Sequence, residues 1–478
     1  MSTTVPSIDN APLTRFHKKL TVYSSGGPFI DGFAIAIIGF TYTTMGTAFE
    51  LTAATSGLVA AAVLVGIFVG GGVFGWVTDK VGRHVMYIID LLALALFSAL
   101  SFFVTEVWQL VLLRFLIGVA IGADYPIATS LLAEYLPAKY RGRMLGATFV
   151  VWALGAATAP VVAMMCAAAG DDAWRWMLAS PTVFALITLF LRLGTPESPR
   201  WLVNRGRLAE ADASIKKVFG PGYGVENIGE AEPTEKATLA SVFRAPYLTR
   251  TLFVGLFWMC QVIPLLSIYS FSYDILSDIG LTGHGAEIFL ASLFVVGGIP
   301  GLYLVERIGR KALLIWSFAG IALIWGIAGL IPGLPVMVVF AAICSFALLS
   351  GGSNFLEVVY PNELFPTEVR ATAVGIGTAV SRIGAAIAVY LMPFALERGI
   401  NWVLLVGSAV SLIGLIVTVA WGVETAGRSL GDTAKRSGDP TRSTPATPAL
   451  APALAPAALA TPHSPIHPTT INTLEAQS

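Results

Sequence analysis

Asp124 interrupts the apolar run "IGADYPIATSLL", and Asp31, Arg114, Glu357 and Arg382 stand in comparable surroundings. At helical rise, Asp124 lies about 15 Å from the helix end near Glu134, and Arg382 about 18 Å from Arg370. An ionised carboxylate at such depth in a membrane costs at least ~2.5 kcal/mol on insertion scales, so it must face water, pair with a cation or take up a proton. Asp31 and Asp124 are therefore candidate proton carriers, able to load on one side and release on the other. Arg382 presents a planar fork suited to a carboxylate. That carboxylate is either an anionic substrate or a protein acid such as Glu357 or Asp124. Arg114 lies about 9 Å inside the opposite end of its helix, where it either reaches the headgroups or serves an internal partner.

Around these charges, Gln261, Ser267, Tyr269 and Asn354 can supply polar contacts. Tyr42, Trp152 and Trp258 can form an aromatic wall, in keeping with small-molecule pockets that combine apolar linings with a few orienting polar groups. Glu357, about 9 Å inside its helix end, could instead join a gate. Cys166, Cys260 and Cys344 all fall in apolar segments without metal-ligand spacing. With no phosphate-binding loop and no nucleophile constellation, we expect neither enzyme chemistry nor a cofactor or metal.

The elements that hold these residues must be membrane helices. The 478 residues are 55% hydrophobic and only 12% charged, with a mean hydropathy of +0.76, which excludes an ordinary soluble domain. Lys+Arg and Asp+Glu balance at 29 each, so no excess charge recruits nucleic acid. A spanning helix needs about 20 apolar residues for roughly 30 Å of hydrocarbon. Twelve such segments fall near 25–46, 54–78, 85–105, 108–132, 144–167, 174–193, 250–276, 286–305, 311–331, 335–360, 371–394 and 400–422. The expected fold is an all-α membrane protein whose twelve helices form two pseudo-repeated six-helix bundles, 25–193 and 250–422. Residues 1–24 form a cytoplasmic segment, 194–249 a cytoplasmic helical linker, and 423–478 a Pro-, Ala- and Thr-rich tail expected to be disordered.

The two halves echo each other. "DKVGR" at 79–83 returns as "ERIGR" at 306–310, and "EYLPAKYR" at 134–141 as "ELFPTEVR" at 363–370. An acid and a Gly-Arg at a helix end permit close helix approach and a charge pair that can break when two halves rock. Asp79, Gly82, Arg83, Glu134, Arg141, Glu197, Arg200, Glu306, Gly309, Arg310, Glu363 and Arg370 make up the candidate gate. Short loops on the motif side collect Lys and Arg, while the other side collects Glu50, Glu106, Asp171, Asp172 and Asp274. The positive-inside bias places both termini in the cytoplasm.

From about residue 20 to 430 the chain resembles the major facilitator superfamily of secondary transporters. The resemblance rests on "GWVTDKVGRH", "VERIGRK", "RFLIGVAIG", "PESPRWL" and "VETAGRSL". These are similar to the sugar-porter branch and its bacterial metabolite:proton symporter relatives. The resemblance implies alternating access between two repeated halves, an acid in span 1, here Asp31, coupled to the span-4 arginine, here Arg114, and a role for the acid of the span-4 Asp-Tyr-Pro, here Asp124, in coupling. The span-7 "CQVIPLLSIYSF" and span-10 "SNFLEVVYPNELFP" depart from the sugar-porter pattern, whereas "GGPFIDGF" and "GADYPIA" look like bacterial carriers of organic acids. We therefore expect proton-coupled uptake of a small organic metabolite, an organic or aromatic acid being favoured. The partners are that substrate, protons and the bilayer of a bacterial inner membrane, the chain acting as a monomer. A sugar or polyol carrier is the nearest rival, supported by "PESPRWL" and Gln261. A proton-coupled efflux antiporter is suggested by Gly146, Gly155 and Pro160 in span 5, and a non-transporting membrane sensor is the alternative from another class.

Overall fold

The computed structural model describes residue 8 and residues 11–228, 243, 247–281, 284–365 and 367–425. Among them, apolar composition and helix-compatible residues yield eleven stretches long enough to cross a membrane. One stretch, Met144–Arg192, is 49 residues long, about twice what a single crossing needs, and its backbone leaves helical geometry at Gly170. It counts as two passes, which gives twelve.

The spans are α1 (Arg15–Ile37), α2 (Ala53–Val81), α3 (Arg83–Leu100), α4 (Val107–Tyr135), α5 (Ala138–Cys166) and α6 (Pro181–Arg192), followed by α7 (Leu248–Ser270), α8 (His284–Ile308), α9 (Arg310–Leu330), α10 (Val336–Ser353), α11 (Thr367–Leu396) and α12 (Ile400–Trp421). Helix α1 starts at Arg15, ten residues before the expected 25, and α5 at Ala138 instead of 144. The reason is physical: helices continue past the hydrocarbon edge, where charged residues meet water without ending the backbone ladder. Between the halves, Pro199–Asn204 and Leu208–Phe219 are short helices, as the linker's composition predicts. The tail beyond Thr425 lies outside the described residues.

Within the first half, α1 packs on α5 and α2 on α4, with α3 against α4 and α6; within the second, α7 packs on α11, α8 on α10 and α9 on α12. The halves meet where α2 lies against α11 and α5 against α8. Two approaches between halves, Gly39 to the Ser270 carbonyl and the Tyr42 ring stacked on Phe271 at 5.2 Å, lie toward the end away from Gly82 and Gly309.

Candidate functional site

Three of the expected residues converge where the halves face one another. Asp31, fully buried in α1, accepts a 2.8 Å hydrogen bond from the Trp152 indole N–H of α5. This meeting depends on Gly32: a Cβ there would fall on the Trp152 carbonyl, so only glycine lets α1 and α5 come this close. Arg382 of α11 is buried and lies within electrostatic reach of Asp31.

Glu357, in the same half as Arg382, also lies within its electrostatic reach. Helix α10 stops at Ser353, and a new helix, Leu356–Leu364, begins after Asn354 and Phe355. Glu357 thus sits in the first turn of that helix, its own N–H bonded to the Asn354 carbonyl at 3.0 Å. It lies beside the Trp258 indole. Arg382 is therefore within electrostatic reach of an acid from each half, and each acid is attended by a tryptophan. Asp31 Oδ1, Glu357 Oε1 and Arg382 Nε are buried and have no hydrogen-bond partner among the described residues.

The aromatic and polar wall forms in part. Trp152 meets the Tyr269 ring edge-on at 5.5 Å, and the Tyr269 hydroxyl, buried, has no hydrogen-bond partner among the described residues. Gln261 donates to Ser353 Oγ at 3.2 Å, and Asn354 Oδ1 accepts from Ser350 Oγ at 3.0 Å. Ser267 is buried in the same helix as Tyr269. Tyr42 is not brought here: it stacks on Phe271 and donates to the Ser56 carbonyl at 3.2 Å, closing the end away from the motifs.

The expected pairing of Arg114 with Asp31 is not what the structure contains. Arg114 Nη1 donates to the Ala34 carbonyl at 2.9 Å, and its titratable neighbour is the neutral phenol of Tyr42. Three residues separate Asp31 from Ala34, nearly one helical turn, so the guanidinium engages the same helix at a level nearer its C-terminal end.

Asp124, which must face water, pair with a cation or take up a proton, pairs with a cation that lies within the expected span 174–193 but is not among the candidate residues. Arg192, the last residue of α6 and fully buried, reaches Asp124 through Nη1 to Oδ1 at 2.5 Å and Nη2 to Oδ2 at 3.1 Å. Its guanidinium lies over the Tyr87 ring at 3.7 Å, and Asp90 Oδ2 stands 3.7 Å from Nη1. The available signal was an arginine inside the apolar run "LITLFLRLG".

At the motif end, Gly82 and Gly309 both take positive φ, 112° and 91°, as they turn the chain from one span into the next. In each half an acid from a later segment caps the helix that follows. Glu197 accepts from the His84 N–H at 3.0 Å; Glu424 accepts from the Arg310 and Lys311 N–H groups at 2.9 and 3.1 Å. Glu424 was missed, although "VET" after the last span echoes "PES" after the sixth. Arg310 also holds Glu363 through two bonds of 3.0 and 2.8 Å. These contacts join segments of one half, so they fix the loops within each bundle instead of bridging the halves. The side chains of Asp79, Arg83, Glu134, Arg141, Arg200, Glu306 and Arg370 lie outside the described residues.

Comparison with known proteins adds four findings. The family model described as "Sugar (and other) transporter" matches residues 19–435. An Escherichia coli (strain K12) protein named for metabolite transport, YaaU, is 36% identical over 432 residues, covering 89% of this chain and 96% of the relative. The niacin transporter NiaP of Acinetobacter baylyi is 26% identical over 435 residues, covering 89% and 98%. Among solved structures, the xylose transporter XylE from E. coli, in a partially occluded inward-open conformation, superposes with a TM-score of 0.75 at 21% identity, covering 87% of this chain and all 100% of that one.

Proposed function

The chain belongs to the sugar (and other) transporter family of the major facilitator superfamily, a transporter and not an enzyme, and we propose that it imports a small organic acid together with a proton. The observation that carries this reading is Arg382, buried and within electrostatic reach of both Asp31 of the first half and Glu357 of the second. While both acids are ionised, the guanidinium is already outweighed and a carboxylate substrate is repelled. Once one acid takes a proton, Arg382 is free to bind the substrate carboxylate through its fork. Proton and anion then bind only together, and rocking of the halves about the α2–α11 and α5–α8 contacts carries both across.

Asp31 is the proton carrier in this scheme: it lies within electrostatic reach of Arg382, and Trp152 orients the oxygen it does not leave free. Trp152 and Tyr269 supply the apolar walls, and Gln261 and Asn354 the polar rim. That a 26% identical relative is named for niacin, a carboxylate, supports the substrate class. We further propose that the halves are residues 25–193 and 250–422, that the motif end and both termini are cytoplasmic, that the membrane is a bacterial inner membrane, and that the chain works as a monomer.

A sugar reading has its own support in the xylose transporter's fold and in the Gln261–Ser353 pair. The test is uptake of labelled benzoate, nicotinate, hexoses and polyols into proteoliposomes, with and without an inward proton gradient, for wild type, Asp31→Asn and Arg382→Gln. Gradient-dependent uptake of an acid, abolished in both variants, is the expected result. Uptake of a hexose that survives Arg382→Gln would sink the acid reading.

A further inference from the structure

The Asp124–Arg192 pair has an unbalanced neighbour. Asp90 of α3 is buried, receives the Leu91 N–H at 2.6 Å on Oδ1, and has no hydrogen-bond partner among the described residues for Oδ2, which sits 3.7 Å from Arg192 Nη1. Asp124 Oδ1 and Asp90 Oδ2 lie 2.5 and 3.7 Å from the same Arg192 Nη1, so the two carboxylates are neighbours across one nitrogen. Two carboxylates thus face one guanidinium in a space from which water is excluded, and adjacent like charges there cannot both be carried.

The groups packed around Asp90 can be named element by element. From α3 itself come Tyr87 and the Tyr87 carbonyl, which accepts from Arg192 Nη1 at 3.3 Å. Helix α4 contributes Asp124 and α6 contributes Arg192. Helix α1 contributes Ser24, whose hydroxyl pairs with the Tyr87 hydroxyl at 2.8 Å, and Gly27, where a Cβ would fall on the Asp124 carboxylate. Among these Arg192 alone is a cation, and its two-point grip is spent on Asp124.

We propose that Asp90 is a proton-binding site: Arg192 holds Asp124 as the carboxylate, and the cluster's one proton resides on Asp90. The proton forms an O–H bond on Asp90, and with Asp124 as the carboxylate and Arg192 as the cation the cluster is neutral as a whole. Asp124 also lies within electrostatic reach of Asp31. The acids therefore form a series, Asp31 to Asp124 to Asp90, running from the centre of the molecule toward the end that carries Gly82. That Asp90 is protonated follows from the geometry of the cluster; that its proton exchanges with the one on Asp31 during transport rests on the symport reading above.

Infrared spectroscopy of the reconstituted full-length protein at neutral pH tests this without any substrate. Wild type minus Asp90→Asn should reveal the C=O band of one buried protonated carboxylic acid, and Asp90→Glu should shift that band instead of removing it. Asp124→Asn, which leaves Arg192 facing Asp90 alone, should abolish that band, because Asp90 then ionises to pair with the guanidinium. Should Asp90→Asn not fold, the wild type minus Asp90→Glu difference carries the same information. If neither difference contains a protonated-acid band, Asp90 is ionised and the proposal falls. If the band is present while a proton gradient drives no uptake of any acid, the Asp90 site stands and the symport reading fails.

Discussion

Arg192 and Asp124 form a two-point ion pair closed off from water, with Nη1 2.5 Å from Oδ1 and Nη2 3.1 Å from Oδ2. The pair joins the end of α6 to the interior of α4, and Tyr87 and Asp90 tie α3 to it. Desolvating two ions is costly, and the pair repays it through this geometry. Removing the arginine strands Asp124, so Arg192→Gln should lower unfolding free energy by about 3–5 kcal/mol, whereas Asp124→Asn should cost less because Asp90, 3.7 Å from the guanidinium, can ionise and take over the pairing. The double variant should lose clearly less than the two singles combined, because neither charge is left alone. Denaturant unfolding in detergent micelles gives all three values, and additive losses would mean that the pair is not coupled.

Gly27 makes room for this pair. A methyl group there would collide with the Asp124 carboxylate and lie 3.1 Å from Arg192 Nη2, whereas a Cβ at Gly146 meets nothing within 4 Å. Gly27→Ala should cost about 1–3 kcal/mol through forced displacement of a packed group. Gly146→Ala, in the helical interior of α5, should be neutral or gain up to about 1 kcal/mol from the better helix propensity of alanine. Paired thermal melts of the two variants decide it, and equal shifts would refute the steric argument.

Trp152 and Asp31 offer a functional counterpart. Phenylalanine at 152 keeps the ring against Tyr269 but removes the N–H that Asp31 accepts at 2.8 Å. A hydrogen bond to a charged group is worth about 1.5–3 kcal/mol, so Trp152→Phe should reduce gradient-driven uptake roughly tenfold or more. Trp152→Tyr, with a polar tip on a different vector, should not restore it. Unchanged uptake in Trp152→Phe would remove Trp152 from the proton site.

How much of this was legible beforehand depended on whether the physics is local. Spans follow from composition over about 20 residues, so twelve passes and two halves could be read directly, as could the echo of "DKVGR" in "ERIGR". Asp31, Glu357 and Arg382 were visible as charges in apolar runs. Their mutual placement was not, since Trp152 reaches Asp31 across 121 positions of sequence. Arg192 was overlooked because it stands at a span border, where an arginine ordinarily turns to the headgroups; only packing against α3 and α4 turns it inward. Arg114 shows the converse, a residue whose type suggested an acid partner and whose position gives it a backbone carbonyl.

The motif end yields the last prediction. Gly309 sits at φ 91°, and Glu424 caps the helix beginning at Arg310 by accepting two backbone N–H groups, while Gly82 at φ 112° has the corresponding acid in Glu197. A helix N-terminus leaves its first N–H groups without intrahelical partners, and a carboxylate there satisfies them and meets the positive end of the dipole. Glu424→Ala should therefore cost about 0.5–2 kcal/mol. Gly309→Ala should cost more than propensity alone would give, since an L side chain at this φ is strained and its Cβ would be 2.6 Å from Glu424 Cδ. Combining Gly309→Ala with Glu424→Ala should relieve part of that cost, because the clash disappears and only the backbone strain remains. Unfolding of the three variants separates the terms: a double variant as unstable as the sum of the singles would show that Gly309 is required for its backbone alone and not for the approach of Glu424.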